Sequence, residues 1–411
     1  MSGLSPDTVL RRAPDVALEL YSDNSVRVRL DGRTVGGGSR TLRILDAFAA
    51  PRAVADALRE LGADVAGAQD WIDLMNTVVQ LHRGGVLLRH DALPTRLESN
   101  ALLGFEASQI HVAMLNDRQR TGKFIEAIRR TVREGDVVVD IGTGTGVLAI
   151  AAAQAGARRV YAIEACGIAD TARQMFEANG VADRVTLIRE QSVRARLPER
   201  ADVLVSEIIG NEPLGEMVVE TMRDAIQRFL APGGRVVPAR LAIHGIPVDV
   251  PEDVLDDNVF TEDVVGVWKG RYGIDFGPLR DIARRSPQVT YREAGWRGLA
   301  RWPRLAEPVR LVEMDFAAIE GTLVDAATEF QAERQGRLSG LIVHFDLDMG
   351  DGLRLSTHPD EVDETHSWRY PVWFLGEPFD VRPGDAFRVR YCHGVRSARE
   401  RVRVTRVESG G

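Results

Sequence analysis

At 411 residues the chain exceeds what one compact core usually carries, so two to four domains is the starting range. Its 44% hydrophobic and 27% charged residues match an ordinary globular composition and exclude wholesale disorder or a fibrous repeat. The formal net charge is −8, from 52 basic and 60 acidic residues, so no general nucleic-acid groove is expected. Lysine occurs only at Lys123 and Lys269; this scarcity reads as compositional bias toward arginine rather than as a functional signal. Two cysteines, Cys166 and Cys392, give no disulfide framework, and the histidines show no ligand spacing, so no metal is expected. The start lacks the apolar core of a signal peptide and no uninterrupted apolar run follows, which predicts a cytoplasmic protein with no membrane partner.

Residues 1–90 read as a small α+β unit. Alternation in Val16–Tyr21 and Ser25–Leu30 predicts two strands joined by a polar turn at Asp23 and Asn24. Three glycines, Gly36 to Gly38, precede the apolar-periodic stretch Thr41–Ala50. Pro51 fits the first turn of a helix ending at Gly62, and a third helix runs over about Gln69–Leu81. Together these predict a winged-helix-like domain that either recognises a peptide or extends a dimer interface. Residues 91–130 form a connecting segment, with a hinge at Asp91–Arg96 and helix over Ile110–Arg130.

From 131 to 240, continuous apolar strands alternate with amphipathic helices, the pattern of a Rossmann-like, doubly wound α/β sheet. Residues 241–411 contain short alternating segments such as LIVHFDLDM, WRYPVWFL and FRVRY, which predict an antiparallel β region, a β-barrel or a sandwich.

Strand Asp136–Asp140 runs directly into IGTGTG, so Asp140, Gly142, Gly144 and Gly146 stand at the first strand-to-helix turn. Glycines there permit tight dihedrals and close backbone approach to a ligand, and the next helix N-terminus offers free N–H groups. The glycines are two apart throughout, unlike the dinucleotide spacing Gly-x-Gly-x-x-Gly. Glu164, 24 residues after Asp140, ends the second strand, where a carboxylate can accept ribose hydroxyls. In SEIIGNEPLGE, Glu207 leaves a strand end and Glu216 follows nine residues later. A guanidinium is planar with five donors, so two carboxylates can fix it by charge-assisted bonds. Glu212, between them, reads as loop polarity.

These segments resemble class I S-adenosylmethionine-dependent methyltransferases. More sharply, IHVAMLNDRQRT, VVVDIGTGTGVLAIAAAQAGARRVYAIEA, SEIIGNEPLGE, FLAPGGRVVP and THSWRYPVWFLGEPF resemble successive motifs of the protein arginine methyltransferase family over about residues 105–390. The resemblance implies S-adenosyl-L-methionine as cofactor, S-adenosyl-L-homocysteine as product, and a cofactor-covering role for 91–130. Arg120 would meet the cofactor carboxylate, Asp140 and Gly142 the methionine moiety, Glu164 the ribose, and Met114 the methyl-transfer centre. Ser192-Val193 would stand near the adenine, where the family has Val-Glu. Glu207 and Glu216 correspond to the family's two-glutamate hairpin and His366 to its Thr-His-Trp loop, with Ser367 intervening before Trp368.

Two departures modify the expectation. The family's Tyr-Phe-x-x-Tyr segment reads ALLGF here, with only Phe105 aromatic, and Ile208, Ile209 and Asn211 replace Trp, Met and Tyr. The carboxylates remain while the pocket wall differs. This implies an arginine-like acceptor, either free arginine or arginine in a peptide from a dedicated pathway. O- or N-methylation of another acceptor ranks lower, because two carboxylates disfavour an anion; an inactive peptide-binding scaffold would not need the full residue set. Trp268, Tyr272 and Phe276, in a segment near 268–290 resembling the family's dimerisation arm, would anchor a homodimer. Six acids in Pro251–Asp263 read as solvated surface or as an attraction for a cationic acceptor.

Overall fold

The computed structural model describes residues 5–13, 16–20, 26–30, 33–37, 40–62, 65, 67–89, 108–285, 288–292, 296–394 and 402–407. The expected turn at Asp23-Asn24, the hinge at 91–96 and Phe105 lie outside the described residues. The chain divides into two compact units, Met1–Leu97 and Glu98–Gly411.

The first unit runs β1 (Val9–Arg12), β2 (Ala17–Leu20), β3 (Val26–Leu30), β4 (Arg33–Gly37), α1 (Thr41–Ala47), β5 (Arg52–Ala53), α2 (Val54–Leu61), α3 (Ala68–Arg83) and β6 (Leu87–Arg89). Strands β2-β3-β4 form one antiparallel sheet and β5-β1-β6 another. The alternation in β3 works as a half-buried strand should: Val26 and Val28 are buried and Arg27 is exposed. They join Leu10, Ile44, Phe48, Leu74 and Val78 in one core. Pro51 is not in the first turn of α2, as the sequence suggested. Arg52 and Ala53 pair with Leu10 and Val9 of β1, so the ladder takes those residues and the helix begins at Val54.

In the second unit, α4 (Ser108–Asn116) and α5 (Arg118–Thr131) lead into β7 (Val137–Ile141), α6 (Val147–Gln154), β8 (Arg159–Ile163), α7 (Ala169–Ala178), β9 (Val185–Ile188), β10 (Ala201–Ser206), α8 (Val218–Phe229) and β11 (Leu230–Val237). All five strands are parallel, in the order β11-β10-β7-β8-β9. β7 is buried along its whole length, which is why its sequence is continuously apolar up to Asp140. Strand order reverses between β7 and β10, the point at which open α/β sheets bind ligands. Register pairs Val205 with Asp140 and Ser206 with Ile141, so the loops bearing the glycines and the two glutamates leave adjacent strands at one edge.

The C-terminal region continues with β12 (Arg240–Val248), helices α9 (Glu252–Asn258), α10 (Glu262–Tyr272) and α11 (Gly277–Arg285), β13 (Gln288–Arg292), α12 (Trp296–Leu299), β14 (Val309–Asp315), β15 (Val324–Gln331), β16 (Gly336–Asp348), β17 (Arg354–Ser356), β18 (Tyr370–Val381), β19 (Ala386–His393) and β20 (Val402–Arg406). These strands form two antiparallel sheets, β13-β18-β16-β12-β14 with β17 paired to β16, and β15-β19-β20. Glu252, Asp253, Glu262 and Asp263 occupy the first turns of α9 and α10, where helix dipoles favour carboxylates, so most of that acidic run has a local structural cause. Trp268 meets Phe260 and Phe276 edge-on at 6.1 and 5.6 Å, while Tyr272 remains 58% exposed. No helix among the described residues is long and apolar enough to cross a membrane.

Gly146 carries φ +87° at the start of α6, and a Cβ there would stand 2.5 Å from the Phe176 ring. Gly146→Ala should therefore lower stability by about 2 kcal/mol, through a left-handed backbone and an overpacked ring, read as a fall in the thermal midpoint.

Candidate active site

The turn after β7 is built by three residues in the left-handed region, Gly142, Gly144 and Gly146. Gly142 and Thr143 both donate their backbone N–H to the Ile163 carbonyl at 3.0 Å, fastening the turn to β8. Glu164, at the end of β8, accepts from the backbone N–H of Gly144 at 2.9 Å and of Cys166 at 2.8 Å. Each of its oxygens thus takes one backbone N–H and keeps a second acceptor direction. Asp140 is completely buried; Oδ2 accepts from the Thr143 hydroxyl at 2.5 Å, and Oδ1 has no partner among the described residues. Burial, reinforced by the nearby Glu164 charge, pushes the Asp140 carboxyl up to about 7. His111 of α4 lies beside Gly144, closing the turn from the helical side.

Asp117 separates α4 from α5 and organises the second half of the site. Its Oδ1 caps α5 by accepting from the Arg120 backbone N–H at 2.9 Å. Its Oδ2 accepts from the Ser367 N–H and hydroxyl at 2.9 and 3.1 Å, and His366 Nδ1 stands 3.7 Å away. The cap holds Arg120 so that its guanidinium pairs with Glu207 and lies 4.4 Å over the Trp368 ring. Burial lowers the Arg120 pKa to about 10, with Asp117 and Glu216 opposing the shift. Glu207 Oε1 is buried without a partner among the described residues. The loop folds back so that a Cβ on Gly210 would come within 2.5 Å of Glu216 Oε1. Burial pushes the Glu216 carboxyl up to about 7 against the attraction of Arg120.

The sequence-predicted residues therefore fall into two groups at one sheet edge. Asp140, Gly142, Gly144, Gly146 and Glu164 form the cradle, and Arg120, Glu207, Glu216 and His366 form the carboxylate-rich pocket. Met114 stands half-buried on α4, its carbonyl accepting from Thr121, and the Ser192 carbonyl accepts from Arg228 at 2.6 Å, tying Ser192-Val193 to α8. Burial lowers the His366 pKa to about 4, so the imidazole is neutral. The intervening Ser367, not the histidine, makes the close bonds to Asp117. Trp368 is packed rather than presented: it supports Arg120 and donates Nε1–H to the Ile209 carbonyl at 2.8 Å. Glu212 is not a solvated loop residue; it is 6% exposed and accepts from the Tyr391 hydroxyl at 2.6 Å. Sequence reading missed Asp117, Ser367, His111 and Tyr391. Only Asp117 carried a signal, as an acidic N-cap three residues before Arg120.

Residues 118–246 match the family described as ribosomal protein L11 methyltransferase, and residues 253–405 match the arginine methyltransferase oligomerization subdomain. The chain is 32% identical over 306 residues to the protein arginine N-methyltransferase PRMT10 of Oryza sativa subsp. japonica, covering 68% of this chain and 78% of that one. It is 33% identical over 288 residues to an arginine N(omega)-methyltransferase of Streptomyces achromogenes subsp. streptozoticus, covering 68% and 74%. The chain belongs to the protein arginine N-methyltransferase family. The Trypanosoma brucei PRMT1 enzyme-prozyme heterotetrameric complex with AdoHcy superposes with a TM-score of 0.64 at 25% identity, covering 75% of this chain and 95% of that one. An N-terminal region extends this arginine methyltransferase homologue beyond the conserved core.

The chain is thus an S-adenosylmethionine-dependent methyltransferase, with arginine methylation as its general activity. The cradle fits the cofactor chemically: Asp140 Oδ1 offers a buried acceptor for an ammonium, and Glu164 has acceptor capacity for hydroxyls. Family departures in the acceptor loop have structural uses here, since Ile209 is buried and Asn211 Oδ1 accepts from the Arg369 N–H at 2.7 Å.

Asp140 and Glu216 have folded-state pKa values of about 7, above their ordinary carboxylate range. Between that range and about 7 the folded chain holds more protons than the unfolded one, so their contribution to stability falls as pH rises through the window. Denaturation measured at pH 5 and pH 8 should show this loss, and Asp140→Asn or Glu216→Gln should each reduce it.

Proposed function

We propose that the enzyme transfers a methyl group to a guanidino nitrogen of arginine, taken either as free arginine or within a pathway-specific peptide. One observation carries this reading: Glu207 already accepts a guanidinium, that of Arg120, and retains a buried oxygen with no partner among the described residues, while Glu216 also acts on the Arg120 charge. A Streptomyces relative named for arginine, beside relatives named for protein arginine, supports keeping both acceptor forms.

S-adenosylmethionine supplies a methyl group activated by its positive sulfur. The residues proposed to hold it are Arg120, Asp140, Gly142, Gly144, Gly146 and Glu164, with Met114 beside the methyl-transfer centre and Ser192-Val193 near the adenine. Glu207 and Glu216 orient the acceptor guanidinium, whose pKa above about 12 makes prior deprotonation costly. Holding one terminal nitrogen in line supplies much of the rate. Glu216, with its carboxyl near neutrality, is suited to take the proton that this nitrogen loses as the N–C bond forms. Neutral His366 stays beside Asp117 and keeps the pocket wall free of a second internal cation.

The oligomerization-subdomain match supports dimer formation, and the aromatic arm of α10 and α11 is the proposed contact, with Tyr272 presented at its surface. The two antiparallel C-terminal sheets are proposed to act as one barrel. The first unit is proposed either to add a peptide strand at a sheet edge or to complete the dimer. A cytoplasmic site of action goes with a chain of only two cysteines.

Glu207→Gln and Glu216→Gln should each lower turnover roughly a hundredfold or more while leaving cofactor affinity largely intact, since each removes a charge from the acceptor side. Glu164→Ala should weaken cofactor binding by calorimetry. Incubation with labelled cofactor and free arginine, arginine peptides and non-guanidino acceptors, read by mass spectrometry, tests the acceptor class; methylation confined to non-guanidino acceptors would sink this reading.

A further inference from the structure

Between the two acceptor glutamates lies a third, Glu212, which the mechanism above does not use. It is 6% exposed and accepts at 2.6 Å from the hydroxyl of Tyr391, a side chain only 1% exposed in the middle strand of β15-β19-β20. Both groups are buried, so losing this hydrogen bond leaves a polar atom unsatisfied. The rest of the loop transmits its position. Gly215 donates its backbone N–H to the Glu212 carbonyl at 2.8 Å, closing a tight turn immediately before Glu216. A Cβ at Gly215 would come within 3.0 Å of that same carbonyl, and one at Gly210 within 2.5 Å of Glu216 Oε1. Trp368 and Arg369 fasten the earlier part of the loop, at Ile209 and Asn211.

We propose that Glu212 and Tyr391 form a positioning pair that anchors the second half of the acceptor loop to β19 and thereby sets where the Glu216 carboxylate stands. Glu212 acts through its hydrogen bond and does not meet the substrate. The kinetic part rests on the arginine reading above; the anchor itself does not.

Two measurements separate these. Hydrogen–deuterium exchange of wild type and Tyr391→Phe, which keeps the ring and loses only the hydroxyl, should show faster exchange in Glu212–Glu216 and little change along β7 and β8. Steady-state kinetics should show about a tenfold fall in kcat for Tyr391→Phe and for Glu212→Ala, with cofactor affinity within about twofold of wild type. Glu212→Gln, which keeps an oxygen for the Tyr391 hydroxyl, should recover most of that loss. Unchanged exchange in Tyr391→Phe overturns the anchor. Glu212→Gln as impaired as Glu212→Ala overturns the positioning role, because the charge would then be what matters. If Glu212→Ala does not fold, Glu212→Gln is compared with Tyr391→Phe instead. Loosened exchange in Tyr391→Phe, together with a wild-type enzyme inactive on every guanidino acceptor, would leave the anchor standing and remove the arginine reading alone.

Discussion

The site depends on one buried ion pair, Arg120 with Glu207, whose side chains are 10% and 11% exposed. A charge removed from water this far must be paired, and removing one partner of such a pair typically costs about 3–5 kcal/mol. Three separate parts of the second unit meet there. The break between α4 and α5 supplies Arg120 through its Asp117 cap, the end of β10 supplies Glu207, and the segment before β18 supplies Ser367 and Trp368. Asp117 is shared by the helix cap and the Ser367 contacts, so the geometry of the cap and that of the C-terminal segment are fixed together.

Charge is distributed unevenly around this pair. Arg120 pairs with Glu207 and feels the charges of Asp117 and Glu216, while Asp140 and Glu164 act on each other in the glycine turn. Burial chiefly drives the Asp140 and Glu216 carboxyls upward, and the Glu164 charge adds to the shift at Asp140. A cation brought into either position gains from a carboxylate that the fold itself leaves under-compensated. The net charge of −8 says little about this; what matters is the placement of a few acids at the sheet edge.

Much of this was legible in the sequence because it depends on short-range pattern. The apolar run ending at Asp140 could only be a doubly covered strand, and the glycines after it had to turn. Glu164 and Glu207 followed from the same strand-end logic. What stayed hidden depends on long-range pairing. Nothing local in Thr365–Trp368 says that Ser367 rather than His366 would bond Asp117, 250 residues away. Tyr391 looked like any alternating strand residue, and Glu212 looked like a solvated loop acid until a buried hydroxyl was found against it. Pro51 was misread for a related reason: two residues of strand pairing outweighed a favourable helix-start signal.

The reversal of strand order between β7 and β10 has a further consequence. The cradle is written in residues at the end of β7 and just after β7 and β8, whereas the acidic pocket is written in residues that follow β10 and in those that pack on it. Because the two loops leave neighbouring strands, each can be rebuilt without moving the other's strand. Ile208, Ile209 and Asn211 show that freedom in use: the wall around the two glutamates differs from the family pattern while the glycine turn keeps it. The loop after β10 can therefore change its side chains while the glycine turn keeps its own strand and its bonds to β8.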